Sequence, residues 1–174
     1  MTISRQELEG RVARLRAAMQ ASGLDALVVY SDEYRTGNTT YLTNYKPINV
    51  IEESPQVVLL VEDRPPTMLI GRLNSYAART TTWIQDVRPI HLASEYLPDI
   101  LVPLTSMSAR VGLIGDNIIP VSFFETLRQA LPTAEFSKAE ELMIGLRQIK
   151  SPAELELLEK AADINDAALR EVLK

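Results

Sequence analysis

Apolar and polar positions along the chain switch repeatedly between a helical and a strand period, and the switches predict an ordered series of elements. Leu8, Val12, Leu15, Ala18 and Met19 recur at helical spacing behind Ser4 and Glu7, a capping-box pair, and Gly23 closes that helix. Ala26-Leu27-Val28-Val29-Tyr30 reads as a buried strand. Residues 31–39 are polar and turn-rich around Gly37-Asn38, and Tyr41-Leu42-Thr43 is expected as a short strand. Val57 to Val61 is the clearest strand; Glu62 to Pro66 turn the chain, and Thr67 to Ile70 return as a hairpin. The pattern then predicts a short helix over 74–80, a strand within 84–90, a helix over 96–104 beside Pro98 and a strand over 111–115. Ser122 with Glu125 and Ser137 with Glu140 are spaced as two further capping boxes, for helices over 122–131 and 138–146, with Ala134-Glu135-Phe136 a brief strand between them.

Alternating strands and helices with an inserted hairpin imply an α/β layer architecture around a mixed sheet. The last segment is different. Ser151 is a good N-cap, Pro152 suits the first helical position, and Glu154 can reach back to complete a capping box. Nothing from Leu155 to Lys174 is Gly or Pro, so the helix has no stop signal, and the expectation is a chain cut from a longer one. A boundary falls near Ile149: a compact domain over 1–149, then a linker helix over 150–174. Leu155, Leu158, Ala162, Asn165, Leu169 and Val172 form a packing seam on that helix, too short for a coiled coil.

Composition narrows the function classes. A chain of 174 residues with 46% hydrophobic and 24% charged residues can bury one sizeable core. A net charge of −5 argues against a general nucleic-acid binder. With no cysteine there is no disulfide framework, thiol nucleophile or zinc–thiolate site, which suits a cytoplasmic location. No apolar run reaches the roughly 18 residues of a membrane span, and the N-terminus does not read as a signal peptide. The single histidine, His91, lies beside apolar residues and reads as a partly buried structural group. Gly112 and Gly115 frame a strand end without a phosphate-loop pattern. The acidic pairs Asp32-Glu33 and Glu52-Glu53 read as solvated loop charges, and Glu140-Glu141 as acids favoured by a first helical turn. Arg35 and Arg72 stand near strand ends, where α/β sheets present ligands.

Three segments carry a family resemblance. Leu146-Arg147-Gln148-Ile149-Lys150-Ser151-Pro152-Ala153-Glu154-Leu155, Asn38-Thr39-Thr40-Tyr41-Leu42-Thr43-Asn44-Tyr45, and Arg14-Leu15-Arg16 followed by Gly23-Leu24-Asp25-Ala26-Leu27-Val28-Val29 together resemble the N-terminal domain of creatinase, prolidase and aminopeptidase P proteins. Asn44 departs from the pattern, since many members carry Gly there. The resemblance implies a three-layer α/β/α fold that hands over to a catalytic domain holding two divalent metal ions (Mn, Co or Zn), with no metal site in this segment. It implies a homodimer whose N-terminal domain reaches over the neighbouring active site to bind a small peptide or amidine substrate. The candidates for that reach are Arg35 and Tyr45, and Arg72, Tyr76, Arg79 and Trp83: arginines for a substrate carboxylate, aromatic rings for a wall or anchor. The implied parent is an Xaa-Pro peptidase. The alternatives are a creatinase- or ectoine-hydrolase-like amidinohydrolase, or a metal-free peptidase-like module that binds proteins or peptides.

Overall fold

The computed structural model describes residues 3–47, 54–105 and 108–173; Glu52-Glu53 lies outside them. Helix α1 (Arg5–Ala21) begins where the Ser4 hydroxyl accepts from the Glu7 amide, and Gly23, at φ 66°, turns the chain into β1 (Ala26–Ser31). Then come α2 (Gly37–Thr43), β2 (Gln56–Val61), β3 (Thr67–Ile70), α3 (Ser75–Thr81), β4 (Asp86–Pro89), α4 (Ala93–Leu101), β5 (Arg110–Ile114), α5 (Val121–Ala130), β6 (Glu135–Lys138), α6 (Glu140–Gln148) and α7 (Pro152–Val172).

The six strands form one mixed sheet in the order β4-β3-β2-β1-β5-β6. Only β2 runs against its neighbours: β1 pairs with it antiparallel and with β5 parallel, and the β3–β4 and β5–β6 pairs are parallel. Strand alternation then sorts the core into two layers. Leu27, Val29, Val58, Leu60, Met68 and Ile70 face a cluster closed by Val12, Leu15 and Met19 of α1, Leu42 of α2 and Met143 of α6. Val28, Tyr30, Val57, Leu59 and Leu69 face the other way, onto Leu97 and Leu101 of α4 and Phe123 and Leu127 of α5. Both faces are covered, so the central strands are apolar at almost every position, and the fold is three layers, α/β/α.

Four expectations need correction. Tyr41-Leu42-Thr43 is helical, not a strand. Its β-branched threonines suggest extended chain, but Thr43 Oγ1 donates to the Thr39 carbonyl one turn back (2.8 Å) and Leu42 is buried beneath the helix, so tertiary packing overrides propensity. Asn44 ends that helix in the left-handed region at φ 56°, which Asn tolerates as Gly does. The boxes at Ser122/Glu125 and Ser137/Glu140 do not form: the N-caps of α5 and α6 are Pro120 and Ala139, without side-chain capping. His91 is exposed in a 3-10 turn after β4 rather than partly buried. Asp32 and Glu33 are not merely solvated: Asp32 Oδ1 accepts from the Tyr34 and Arg35 amides, and Glu33 Oε2 from the Ser54 amide.

Helix α7 forms with its full capping box, as expected, yet buries none of its described residues. Leu155, Leu158, Leu169 and Val172 are 50–83% exposed, so the seam does not pack on this domain's own sheet. Replacing Ser151 with alanine removes the oxygen that accepts from the Glu154 amide. The expected result is a loss of about 1 kcal/mol of helix stability, seen as faster amide exchange over the first turns of α7 and little change in α1 to α6.

Candidate functional site

Because β2 alone is reversed, β1, β3, β4, β5 and β6 all end at one edge of the sheet, and β2 starts there. The segments that follow five strands therefore converge on that edge, where open α/β sheets place their ligand crevices. Two regions lie along it.

The first surrounds the β1–β2–β3 end. Glu33 takes the Ser54 amide (3.1 Å), Asn74 Nδ2 donates to Ser54 Oγ (3.0 Å), and the Tyr45 hydroxyl donates to Asn74 Oδ1 (2.8 Å). These bonds tie the segment after β1, the segment before β2 and the turn after β3 into one rim. Tyr45 is 3% exposed, so within this chain its ring belongs to the core, and that burial raises its hydroxyl pKa. Trp83 is half-buried; its indole Nε1 donates to the Leu42 carbonyl (2.8 Å) and fastens the end of α3 to α2. The Arg79 side chain donates through Nε to the Val87 carbonyl (3.2 Å), tying α3 to β4. Above this framework Arg72 is exposed, Leu73 is 71% exposed and Tyr76 79% exposed, with Tyr34 on the adjoining segment at 84%. Of the six candidates, then, Arg72 and Tyr76 present free surface on this rim, while Tyr45, Arg79 and Trp83 make contacts that hold its shape.

The second region is a crevice of about 490 Å³ between the ends of β1 and β5, and Arg35 lines it. Arg35 Nε and Nη2 both donate to Asp32 Oδ2 (3.1 and 2.7 Å). Burial pushes the Asp32 carboxyl pKa up, but the side-chain and backbone hydrogen bonds and the charge of Arg35 outweigh it and hold the group below the ordinary aspartate range. Three further residues of this crevice, Asn38, Glu140 and Arg147, are not among the binding-site candidates that the sequence offers. Glu140 Oε2 accepts from the Gly115 amide (2.7 Å) and Oε1 from Asn38 Nδ2 (3.1 Å), while Arg147 Nη1 donates to Asn38 Oδ1 (2.8 Å). Glu140 is thus a bridge rather than a first-turn charge alone. The signal was present: Glu140 and Arg147 are seven apart, two turns along one helix face. Gly115 stands at φ 78°, and a Cβ there would meet the Tyr30 carbonyl oxygen at 2.5 Å, so this corner accepts only glycine.

No group of three or more His, Cys, Asp or Glu side chains that would hold a metal ion occurs among the described residues, and none of their helices is long and apolar enough to cross a membrane.

Residues 11–149 match the family model of the creatinase/prolidase N-terminal domain. The chain belongs to that family. It is 29% identical to the ectoine hydrolase of Halomonas elongata over 94% of this chain and 43% of the relative. Among solved structures, the Xaa-Pro dipeptidase from Bacillus anthracis superposes with a TM-score of 0.70 at 22% identity, covering 95% of this chain and 43% of that one. The N-terminal domain of the cytoplasmic peptidase PepQ from Mycobacterium tuberculosis gives 0.60 at 20% identity, covering 79% of this chain and 98% of that one. The creatinase/prolidase N-terminal domain here thus spans less than half the length of the curated relatives it matches.

Proposed function

We propose that this chain is the non-catalytic N-terminal part of a two-metal C–N hydrolase. In this reading the metal-binding catalytic domain follows the linker helix α7, and the protein works as a homodimer. The observation that carries it is the family match over 11–149 together with relatives more than twice as long. The apolar seam of α7, open in this chain, supports a further domain packing there. The rim bearing Arg72, Leu73 and Tyr76 supports a surface that meets the neighbouring subunit and narrows its substrate pocket, with Arg72 offering a fork to a substrate carboxylate; Arg35 could join it only by leaving Asp32. The metals, Mn, Co or Zn, would activate a water and polarise the scissile bond in the catalytic domain, which in this reading supplies their ligands.

An Xaa-Pro peptide is one substrate class. A second reading, an ectoine-type cyclic amidine, is favoured by the 29% identical ectoine hydrolase. The deciding experiment assays the full-length protein against Xaa-Pro dipeptides and ectoine, with and without a chelator. Chelator-sensitive cleavage of either class by the full-length protein, with none by residues 1–174, is the expected result. Intact full-length protein that cleaves neither, and whose downstream sequence lacks the metal ligands, refutes the enzyme reading in favour of a protein- or peptide-binding module. Tyr76→Glu in the full-length enzyme is expected to weaken dimerisation and raise KM at least about tenfold with the fold intact. An unchanged sedimentation profile and unchanged KM would remove the rim from the assembly.

A further inference from the structure

We infer that the crevice between β1 and β5 binds a small carboxylate-bearing molecule, with Arg147 as its anchor. The inference uses only this chain's own walls, whatever the assembled protein does. Chain topology is the first support. From β1 the chain goes to β2 on one side, while β5 lies parallel on the other, so the crevice opens at the point where the strand order reverses. That is the place where parallel strands part at their ends and leave room for a ligand. The volume, about 490 Å³, is in the range of small-molecule sites.

Charge is the second support. Two of the other ionised groups lining the crevice are already in ion pairs, Arg35 with Asp32 and Asp116 with Lys138 (3.0 Å), and both Glu140 oxygens are occupied by neutral donors, the Gly115 amide and Asn38 Nδ2. Arg147 has no carboxylate partner among the described residues. It is held instead by neutral groups: Asn38 Oδ1, and the Tyr41 ring 5.9 Å away. Gly37 leaves the space for it, since a Cβ there would lie 3.2 Å from Arg147 Nη2. Asn38 is in turn fixed by Glu140, so the guanidinium is oriented without being neutralised. A fork positioned in this way, with N–H groups to spare, is matched by a carboxylate, which takes two parallel bonds. Tyr30 and Ile118 provide apolar wall beside it for the rest of the ligand.

The test is a titration of isotopically labelled chain followed by amide NMR, with acetate and glycylglycine as carboxylate probes and glycylglycinamide as the probe lacking the carboxylate. Saturable shifts at Gly37, Gly115 and Asn117 are expected with glycylglycine and acetate, and none with the amide. Arg147→Gln should weaken glycylglycine binding at least about tenfold while resonances of the opposite sheet face stay in place. Arg147→Lys should be intermediate, since it keeps charge and loses the fork. Equal shifts from the amide, no saturation with either carboxylate, or unchanged binding in a folded Arg147→Gln chain would each overturn the proposal.

Discussion

Replacing Arg11 with methionine is expected to destabilise the chain by about 3–5 kcal/mol, read as a shift of the urea midpoint. Arg11 is 4% exposed. Its Nε donates to Glu7 Oε1 (3.1 Å), its Nη1 to the Tyr41 carbonyl (2.9 Å), and its Nη2 lies 3.5 Å from Glu154 Oε1. The guanidinium also sits 4.1 Å from the centre of the Tyr41 ring. Methionine fills much of the volume but leaves two carboxylates and a carbonyl without their donor. The same substitution logic at Arg5, whose side chain is 63% exposed and pairs only with Glu9, predicts a change under about 1 kcal/mol. The cluster also sets an acid dependence. Burial pushes the Glu7 carboxyl pKa up, but hydrogen bonds from Ser151 and Arg11 and the charges of Arg11 and Arg14 prevail and lower it. A folded pKa below the unfolded one gives stability that is present above the unfolded value and lost as pH falls through the folded one. Unfolding should therefore ease below about pH 4, and Glu7→Gln should flatten that part of the profile.

Gly112→Val carries the second large effect. A Cβ at Gly112 would stand 2.6 Å from Leu27 Cδ2, 2.8 Å from Leu24 Cδ1 and 2.8 Å from Ala139 Cβ. Those atoms lie where β5 meets β1 and the start of α6, and all three belong to buried side chains with little room to yield. The expected cost is about 3 kcal/mol, at the upper end of overpacking, with Gly112→Ala nearer 1 kcal/mol, both measured by chemical denaturation. Gly145 is the counter-case. Nothing lies within 4 Å of a Cβ there, so Gly145→Ala should stabilise α6 by about 0.5–1 kcal/mol.

These cases show what the sequence disclosed and what it withheld. The apolar runs at 26–30 and 57–61 were legible because central strands covered on both faces need little more than apolar, β-branched residues. The start of α7 was legible because Ser151, Pro152 and Glu154 act on one another locally. Residues 41–43 misled because their helix is imposed by the core beneath Leu42, which no local pattern reports. The failed boxes at Ser122 and Ser137 show that spacing permits a cap without requiring one: Glu140 was drawn to the Gly115 amide and Asn38 instead. The crevice residues were hidden for the same reason. Asn38, Gly115, Glu140 and Arg147 meet only because two parallel strands and two helices end at one place, over separations of up to 109 residues. Arg35 and Arg72 could be placed near strand ends from the pattern, but their partners could not.

The clamp at Arg11 has a mechanical consequence. Helix α7 runs for 21 residues, about 31 Å, and its described residues touch the domain mainly through the first turn, at Ser151 and Glu154. It is a lever with its fulcrum at one buried guanidinium. Each degree of slack at that fulcrum swings the far end by about half an ångström. Any surface that meets the far end of α7 is therefore aimed by a handful of bonds around Arg11, at the opposite end of the helix from where the aim is felt.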